Sequence, residues 1–266
     1  MVIDTHCHLD DSAYANDCDE VIKSAYDAGV KAIVIPGADI TDLKRAQSLS
    51  HQYEHIFFAA GIHPYHHEQY DEATLESFLC DEKCIAVGEC GLDYFRLPED
   101  KGEQEKEKEA QHEVFRAHIR LAKKYQKPLI VHIRDANDDS KRILLEENAA
   151  DVGGVLHCYN ASKHLLELGD KGFYFGIGGV LTFKNAKNLV EVLPLIPRDK
   201  LVLETDAPYL TPMPYRGERN EPKHVLLVAE KMANLLEMSV TDIHTLTTKN
   251  AFSLFKALEK TNLATI

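Results

Sequence analysis

Long hydrophobic runs are missing from this chain of 266 residues. No window approaches the roughly eighteen consecutive apolar residues that a membrane-spanning helix needs. Hydrophobic residues still make up 44% of the chain and charged residues 27%, which is typical of a globular protein. The first residues, Met1-Val2-Ile3-Asp4, lack the basic and apolar segments of a secretion signal. We therefore expect a water-soluble, cytoplasmic protein with no membrane partner.

Closely spaced cysteine pairs are missing as well. No two of the six cysteines are separated by two residues, the spacing that structural zinc sites use. The cysteines are Cys7, Cys18, Cys80, Cys84, Cys90 and Cys158. Reduced thiols in a cytosolic protein fit this pattern best.

An excess of positive charge is the third absence. The chain has 30 Lys and Arg residues against 43 Asp and Glu residues, giving a net charge of −13. This balance disfavours a protein that coats nucleic acid, because non-specific binding to a duplex comes mainly from Lys and Arg. It does not exclude a nuclease, since bound cations can supply positive charge locally.

Short apolar runs alternate with longer stretches of helical periodicity along the whole chain, which predicts repeated βα units around a parallel sheet. The eight predicted strands are residues 2–5, 32–36, 56–61, 85–89, 129–132, 154–157, 173–176 and 201–205. Eight strands favour a closed (β/α)₈ TIM barrel, and residues 1–266 are predicted to form one domain. An amphipathic helix is predicted over 105–125, with Val114, His118, Leu121, Ala122 and Tyr125 on its apolar face, and extra C-terminal helices over 241–260.

Metal-ligand residue types recur where these predicted strands end. His6 and His8 close the first strand two residues apart, so their side chains are expected on one face. The others are Glu89, His132, His157 and Asp206. The carboxyl ends of barrel strands meet at one rim, and burying so many ionisable groups without a cation is costly. A metal site is therefore predicted at this rim, with Glu204 facing the same side as Asp206 and ordering the ligands.

Six runs resemble the signature blocks of the TatD family of metal-dependent deoxyribonucleases, within the amidohydrolase-like barrels, and they fall in that family's order. The runs are Asp4-Thr5-His6-Cys7-His8-Leu9-Asp10, Gly61-Ile62-His63-Pro64, Gly88-Glu89-Cys90-Gly91-Leu92-Asp93-Tyr94, Val131-His132-Ile133-Arg134, Gly176-Ile177-Gly178-Gly179 and Glu204-Thr205-Asp206-Ala207-Pro208-Tyr209-Leu210. One departure is the pair Asn160-Ala161, where the family usually has a small hydroxyl residue and glycine.

The resemblance implies two divalent metal ions at the rim. Counterparts of His6, His8 and Asp206 hold the first, those of His132 and His157 hold the second, and Glu89 bridges the two. The family is described as Mg²⁺-dependent, whereas four imidazole ligands favour Zn²⁺ or Mn²⁺, so the choice stays open.

The predicted activity is hydrolysis of DNA from a 3′ end, on single strands, by a monomer. Asp206 is expected to orient and deprotonate the attacking water, with Glu89 between the metals. His63 either contacts the scissile phosphate or the leaving group, or is a buried loop histidine bonded to the backbone. An ester, lactone or amide hydrolase and a non-catalytic, metal-stabilised interaction protein are the alternatives.

Four residues are the candidate substrate contacts. Arg96, Arg216 and Arg219 are predicted to contact phosphates, since guanidinium suits phosphate oxygens, and Tyr215 is predicted to stack on a base. For residues 215–219, an ordinary solvated loop without substrate contacts is an equally good interpretation.

Overall fold

A computed structural model describes residues 1–260 of the chain. The last six residues of the predicted single domain, 261–266, lie outside the described residues. No helix in the described part is long and apolar enough to cross a membrane.

Eight parallel strands form one sheet in which each strand pairs with its neighbours in sequence order. The strands are β1 Val2–Asp4, β2 Val30–Ile35, β3 Ile56–Ala60, β4 Cys84–Asp93, β5 Leu129–Arg134, β6 Gly154–Leu156, β7 Phe173–Ile177 and β8 Leu201–Leu203. Contacts between the first and last strands close the sheet: the Thr5 N–H donates to the Leu203 carbonyl over 3.0 Å, and Cys7 forms a parallel bridge with Ala207. The (β/α)₈ barrel is thus confirmed.

The fourth strand differs from its prediction. It continues to Asp93, four residues past the predicted end at Glu89. The pairing of β4 with β5 shifts register between Val87 and Cys90 and then resumes. Hydrophobicity alone could not show this extension, because a register irregularity interrupts the alternation that marks a strand.

Helices surround the sheet. The α-helices are α1 Cys18–Ala28, α2 Leu43–Gln52, α3 Glu72–Leu79, α4 Lys101–Tyr125, α5 Asn137–Glu146, α6 Lys187–Val192, α7 Val225–Leu236 and α8 Val240–Leu254, and a 3₁₀ segment follows at Lys256–Lys260. The predicted central and C-terminal helices are thus present. In α4 the buried face also includes Phe115 and Ile119, whereas Val114 is only half-buried.

Two separate hydrophobic cores lie on the two faces of the sheet. The outer core fills the space between strands and helices and includes Phe58, Phe115 and Phe175. The inner core fills the barrel, where residues such as Val34, Phe57 and Ile130 point inward. The inner core continues into Ala251, Leu254, Phe255 and Leu258, so α8 and the segment after it plug one end of the barrel.

Candidate metal centre

The inward-facing side of the strands carries the predicted ligands to the open end of the barrel. Ile130, Val155 and Val202 belong to the inner core. Two residues after each of these come His132, His157 and Glu204, and alternation along an extended chain keeps these three on the inward face. On these strands the rim residues therefore continue the row of inner-core positions, whereas His6 lies three residues after the inner-core Ile3.

His6, His8 and Asp206 form the first group. The Nε2 atoms of the two histidines lie 3.3 Å apart, and each lies 3.5 Å from the same oxygen, Oδ1 of Asp206. The Asp206 backbone has a φ of 56° and its N–H donates to the His6 carbonyl over 2.9 Å. Three ligand atoms from opposite ends of the sequence thus face one point.

His132 and His157 form the second group. Nδ1 of His132 and Nε2 of His157 lie 3.1 Å apart. Both nitrogens face one oxygen, Oε1 of Glu89, at 2.8 Å and 3.0 Å. The second predicted ligand pair is therefore assembled around one side of Glu89.

The Glu89 carboxylate lies between the two groups. Its other oxygen, Oε2, lies 3.3 Å from His6 Nε2 and 3.7 Å from His8 Nε2. Only 3% of the side chain is exposed. One oxygen toward each group is the arrangement that a carboxylate bridging two cations needs.

Charge at the centre is balanced only by the imidazoles. Burial would raise the pKa of Glu89, but the charges of His157 and His6 and the hydrogen bonds from His132 and His157 lower it well below its usual range. Burial lowers the pKa of His6 to about 4, whereas for His132 the hydrogen bonds to Asp93 and Glu89 overcome burial and raise the pKa to about 9. Burial would also raise the pKa of Asp206, but the hydrogen bond from His8 and the charges of His6 and His157 lower it. Both Glu89 and Asp206 are thus held in the charged form that binds cations.

The donor set fits divalent metal ions. Imidazole nitrogens and carboxylate oxygens are ligands for Zn²⁺ and Mn²⁺, and carboxylates also bind Mg²⁺. Their ligand atoms cluster within 4.8 Å in three groups, namely His6–His8–Asp206, His6–Glu89–His157 and His63–Asp93–His132. Imidazole nitrogens aimed at one another at 3.1–3.3 Å are better explained by a shared cation than by packing.

Asp93 has a position that sequence reasoning missed. Its Oδ2 accepts from Nε2 of His132 over 2.9 Å, while its Oδ1 accepts from the Phe95 N–H over 2.9 Å. Because Asp93 holds the proton on Nε2, Nδ1 of His132 is the ring nitrogen that would be free to bind a cation beside Glu89. A carboxylate that orients a ligand histidine is a common second layer of metal sites. The sequence feature that could have pointed to Asp93 is the Gly-Leu-Asp-Tyr run shortly after Glu89.

Glu204 lies behind the ligands, as expected. Its Oε1 accepts from the Cys158 N–H over 2.5 Å and lies 3.8 Å from Nδ1 of His157. Burial raises the pKa of Glu204 to about 7. Glu204 is therefore hydrogen-bonded to the backbone beside His157, and not to the His157 imidazole.

Gly91 lies in β4 where this strand passes the His132 backbone of β5. Its φ is 141°, and a Cβ added there would lie 2.0 Å from the His132 carbonyl oxygen. Only glycine therefore lets β4 approach β5 closely enough to set Glu89 beside His132.

His63 combines both interpretations of the sequence. Its Nδ1 accepts from the Tyr65 N–H over 3.1 Å, and its Nε2 lies 3.7 Å from Oε1 of Glu89. Since Nδ1 is an acceptor, the proton of the neutral ring is on Nε2, which faces the centre. His63 is therefore both bonded to the backbone and part of the rim.

The predicted substrate contacts are spread over different places. Arg96 lines the cavity over the centre, with its guanidinium 5.1 Å from the Tyr65 ring. Tyr215 stacks on His224 at 5.0 Å, and Arg216 lies 4.4 Å from the Phe183 ring. None of the three has an ion pair among the described residues.

Arg219 has partners of its own. Its guanidinium binds both oxygens of Asp17, at 2.9 Å and 2.6 Å, and the Ala13 carbonyl at 2.7 Å. A phosphate at Arg219 would have to compete with this ion pair, which the sequence could not show because Asp17 is 202 residues away. Arg134, in contrast, is exposed, lies 3.6 Å over the Phe95 ring and lines the cavity.

The cavity over the centre has two lobes. The acidic lobe, about 460 Å³, is lined by Asp10, Asp11, Asp39 and Asp42 together with His63 and Arg96. The apolar lobe, about 680 Å³, is lined by Ile133, Val180, Leu189 and Leu210 together with Asn185, Lys187 and Asn188. Both include His132, Arg134, His157, Asp206 and Tyr209, so the centre lies where they meet.

An open cluster of imidazoles and carboxylates at the carboxyl rim of a (β/α)₈ barrel defines a metal-dependent hydrolase. The chain belongs to the TatD family, since the family model described as TatD related DNase matches residues 3–256. A protein of Bacillus subtilis named "Uncharacterized metal-dependent hydrolase YabD" is 43% identical over 260 residues, covering 96% of this chain and 99% of that protein.

Two Escherichia coli proteins are also similar. The protein named "3'-5' ssDNA/RNA exonuclease TatD" is 35% identical over 243 residues, covering 88% of this chain and 90% of its own length. The crystal structure of the TatD homologue YjjV is 28% identical with a TM-score of 0.86, covering 96% of this chain and 98% of that one. This likeness also confirms the fold.

Proposed function

We propose that this hydrolase cleaves the phosphodiester bonds of single-stranded DNA from the 3′ end, with two divalent metal ions. The observation that carries the proposal is the Glu89 carboxylate, whose oxygens face separate groups of imidazoles at 2.8–3.7 Å. The similar E. coli protein named as a 3′–5′ exonuclease supports the choice of substrate.

The residues at the centre divide the work. Bound cations would lower the pKa of a water molecule and stabilise charge on a phosphodiester. Asp206, on the cavity wall, orients the attacking water and accepts its proton. His63 donates its Nε2–H to the leaving oxygen or a phosphate oxygen. Glu89 keeps the two ligand groups together.

Arginines at the cavity bind the flanking phosphates. Arg96 lines the acidic lobe, and Arg134 lines both lobes without an ion pair among the described residues. Tyr215, Arg216 and Arg219 stay predicted substrate contacts of the following loop, with Arg219 exchanging Asp17 for phosphate. Mg²⁺ is the proposed metal by resemblance, with Zn²⁺ and Mn²⁺ as alternatives, in a monomeric, cytoplasmic enzyme.

A second candidate is hydrolysis of a small ester, lactone or amide. The acidic lobe favours it, because Asp11, Asp39 and Asp42 repel a polyanion and accept a neutral or cationic substrate. Asp10 adds less charge, since burial raises its pKa to about 7. A purely structural metal site is disfavoured, since 13% of His8 and 15% of Asp206 is exposed toward the cavity. Structural metal sites are closed.

Nucleotide release from a 5′-labelled single-stranded DNA tests the proposal. The protein is stripped with a chelator and assayed after addition of Mg²⁺, Mn²⁺ or Zn²⁺, beside His132→Ala and, as a surface control, His51→Ala. A one-nucleotide ladder that one metal restores and only His132→Ala loses supports the proposal. A folded, metal-loaded protein that cleaves esters or lactones but no DNA contradicts it.

A further inference from the structure

The two lobes of the cavity differ in charge and therefore in what they accept. The acidic lobe carries four aspartates in addition to the centre. In the apolar lobe the centre's own Asp206 is the only carboxylate among the lining residues, and Lys187 and Arg134 are its cations. Charges within about 10 Å act strongly on each other in physiological salt, so a phosphate is attracted more to the second lobe than to the first, where the aspartates oppose Arg96 and Arg134.

Three of the polar side chains that line the apolar lobe have no partner among the described residues. Asn185, Lys187 and Asn188 are exposed, and no hydrogen bond or ion pair of their side chains occurs within residues 1–260. Asn160, in the same lobe, is instead fully engaged: its amide donates to Asn137 over 2.8 Å and its carbonyl accepts from the Ser162 N–H over 3.1 Å.

Apolar side chains line the same lobe as these three polar residues. Ile133, Val180 and Leu189 offer the apolar surface that a planar base packs against, and two unpartnered amides offer both donors and acceptors for its edge. A volume of about 680 Å³ is within the usual range of small-molecule sites. A base and sugar fit this combination of apolar and amide groups. The free ammonium group of Lys187 can bind one phosphate.

We propose that the apolar lobe is a nucleoside subsite. It holds the base and sugar next to the scissile phosphate, and Lys187 binds the adjacent phosphate of the same strand. This inference rests on the proposed nuclease function. It places the base and the adjacent phosphate beside the start of α6.

Charge reversal tests the role of Lys187. Lys187→Glu is compared with Lys184→Glu, a change of another exposed lysine in the same segment that does not line the lobe. Substrates are a single-stranded oligonucleotide and bis(4-nitrophenyl) phosphate. We expect Lys187→Glu to lower kcat/KM for the oligonucleotide about 10-fold more than for the small ester, with a salt dependence about one unit less steep. Equal effects of the two variants would overturn the inference.

Inhibition by small ligands tests the base. We expect deoxyadenosine 5′-phosphate to inhibit about 10-fold more strongly than deoxyribose 5-phosphate, because only the former has a base to pack. Equal inhibition overturns the subsite even if DNA is cleaved. A wild-type protein that hydrolyses neither the oligonucleotide nor the nitrophenyl ester overturns the nuclease function, and the subsite with it.

Discussion

The two ends of the barrel are built from the same strands but have opposite character. At the plugged end, Leu254, Phe255 and Leu258 cover the inner core and are almost completely buried. At the open end, imidazoles and carboxylates surround a cavity. Stability and chemistry are thus assigned to different ends, so a change at one end should leave the other intact.

Glu89→Gln is the strongest change at the open end. The amide keeps the size of the side chain but removes the charge between the two ligand groups. We expect at least about 10³-fold loss of kcat with an intact fold, because metal stabilisation of charge contributes several kcal/mol. Steady-state kinetics and circular dichroism measure both effects. Full turnover in the metal-loaded variant would show that Glu89 does not bridge.

Phe255→Ala is the corresponding change at the plugged end. The ring is fully buried, so the cavity left behind should lower the free energy of unfolding by about 3–5 kcal/mol. Urea denaturation measures the loss, and Phe252→Ala, at a half-buried residue in the last turn of α8, is the milder control. Metal affinity should not change. Weakened metal binding with normal stability in Phe255→Ala would contradict the division of stability and chemistry between the two ends.

His118 links the outer core to the rim. Its Nδ1 donates to the Val114 carbonyl over 2.8 Å, and its Nε2 accepts from the Ile62 N–H over 3.0 Å, directly before His63. This neutral, buried ring has its pKa lowered to about 4 from 6.5. Below pH 6.5 the unfolded chain binds a proton that the folded protein does not. Stability should therefore fall by up to about 3 kcal/mol between pH 6.5 and pH 4.

The measurement is urea denaturation across this pH range, in parallel with His118→Gln. The variant should be less stable at pH 7 but should lose less stability on acidification than the wild type. His51→Gln, at an exposed histidine, is the control. Identical pH dependence of wild type and His118→Gln would assign the acid sensitivity to other groups.

Asp93→Asn should weaken one group of ligands and spare the other. The loss of the charge that orients His132 is expected to reduce metal affinity about 10- to 100-fold at the sites nearest His132. Calorimetric metal titration should then show one weakened and one normal phase, with activity recovered at high metal concentration. Asp138→Asn, at an aspartate that is 95% exposed and within residues 1–260 pairs only with His164, is the control. Uniform weakening of both phases would argue against an orienting role.

Ala161→Gly is the mildest change. Ala161 has a φ of 64°, in the left-handed region that disfavours a Cβ. Relief of this strain, offset in part by the entropy of glycine, should stabilise the protein by about 0.5 kcal/mol. Thermal denaturation measures it, with Ala150→Gly as a control that should destabilise. A loss of stability in both variants would contradict the strain.

The sequence predicted the barrel and the convergence of its ligands because both follow from local patterns. Each strand is a short apolar run, and parallel topology brings every strand end to one rim. The role of Asp93 was missed because it depends on the register shift within β4. Arg219 was placed among the substrate contacts because its partner Asp17 is distant in sequence. The lobes depend on loop conformations, for which no periodic pattern exists.

The position of the plug in the sequence sets the order in which strands and plug are synthesised. The strands of the barrel end at Leu203, whereas the residues that cover the inner core begin at Ala251. During synthesis, all eight strands are therefore made before the side chains that close the lumen. Until those side chains are added, Phe57, Ile130 and their neighbours lack this cover, and exposed apolar surface of this kind makes incomplete chains prone to aggregation.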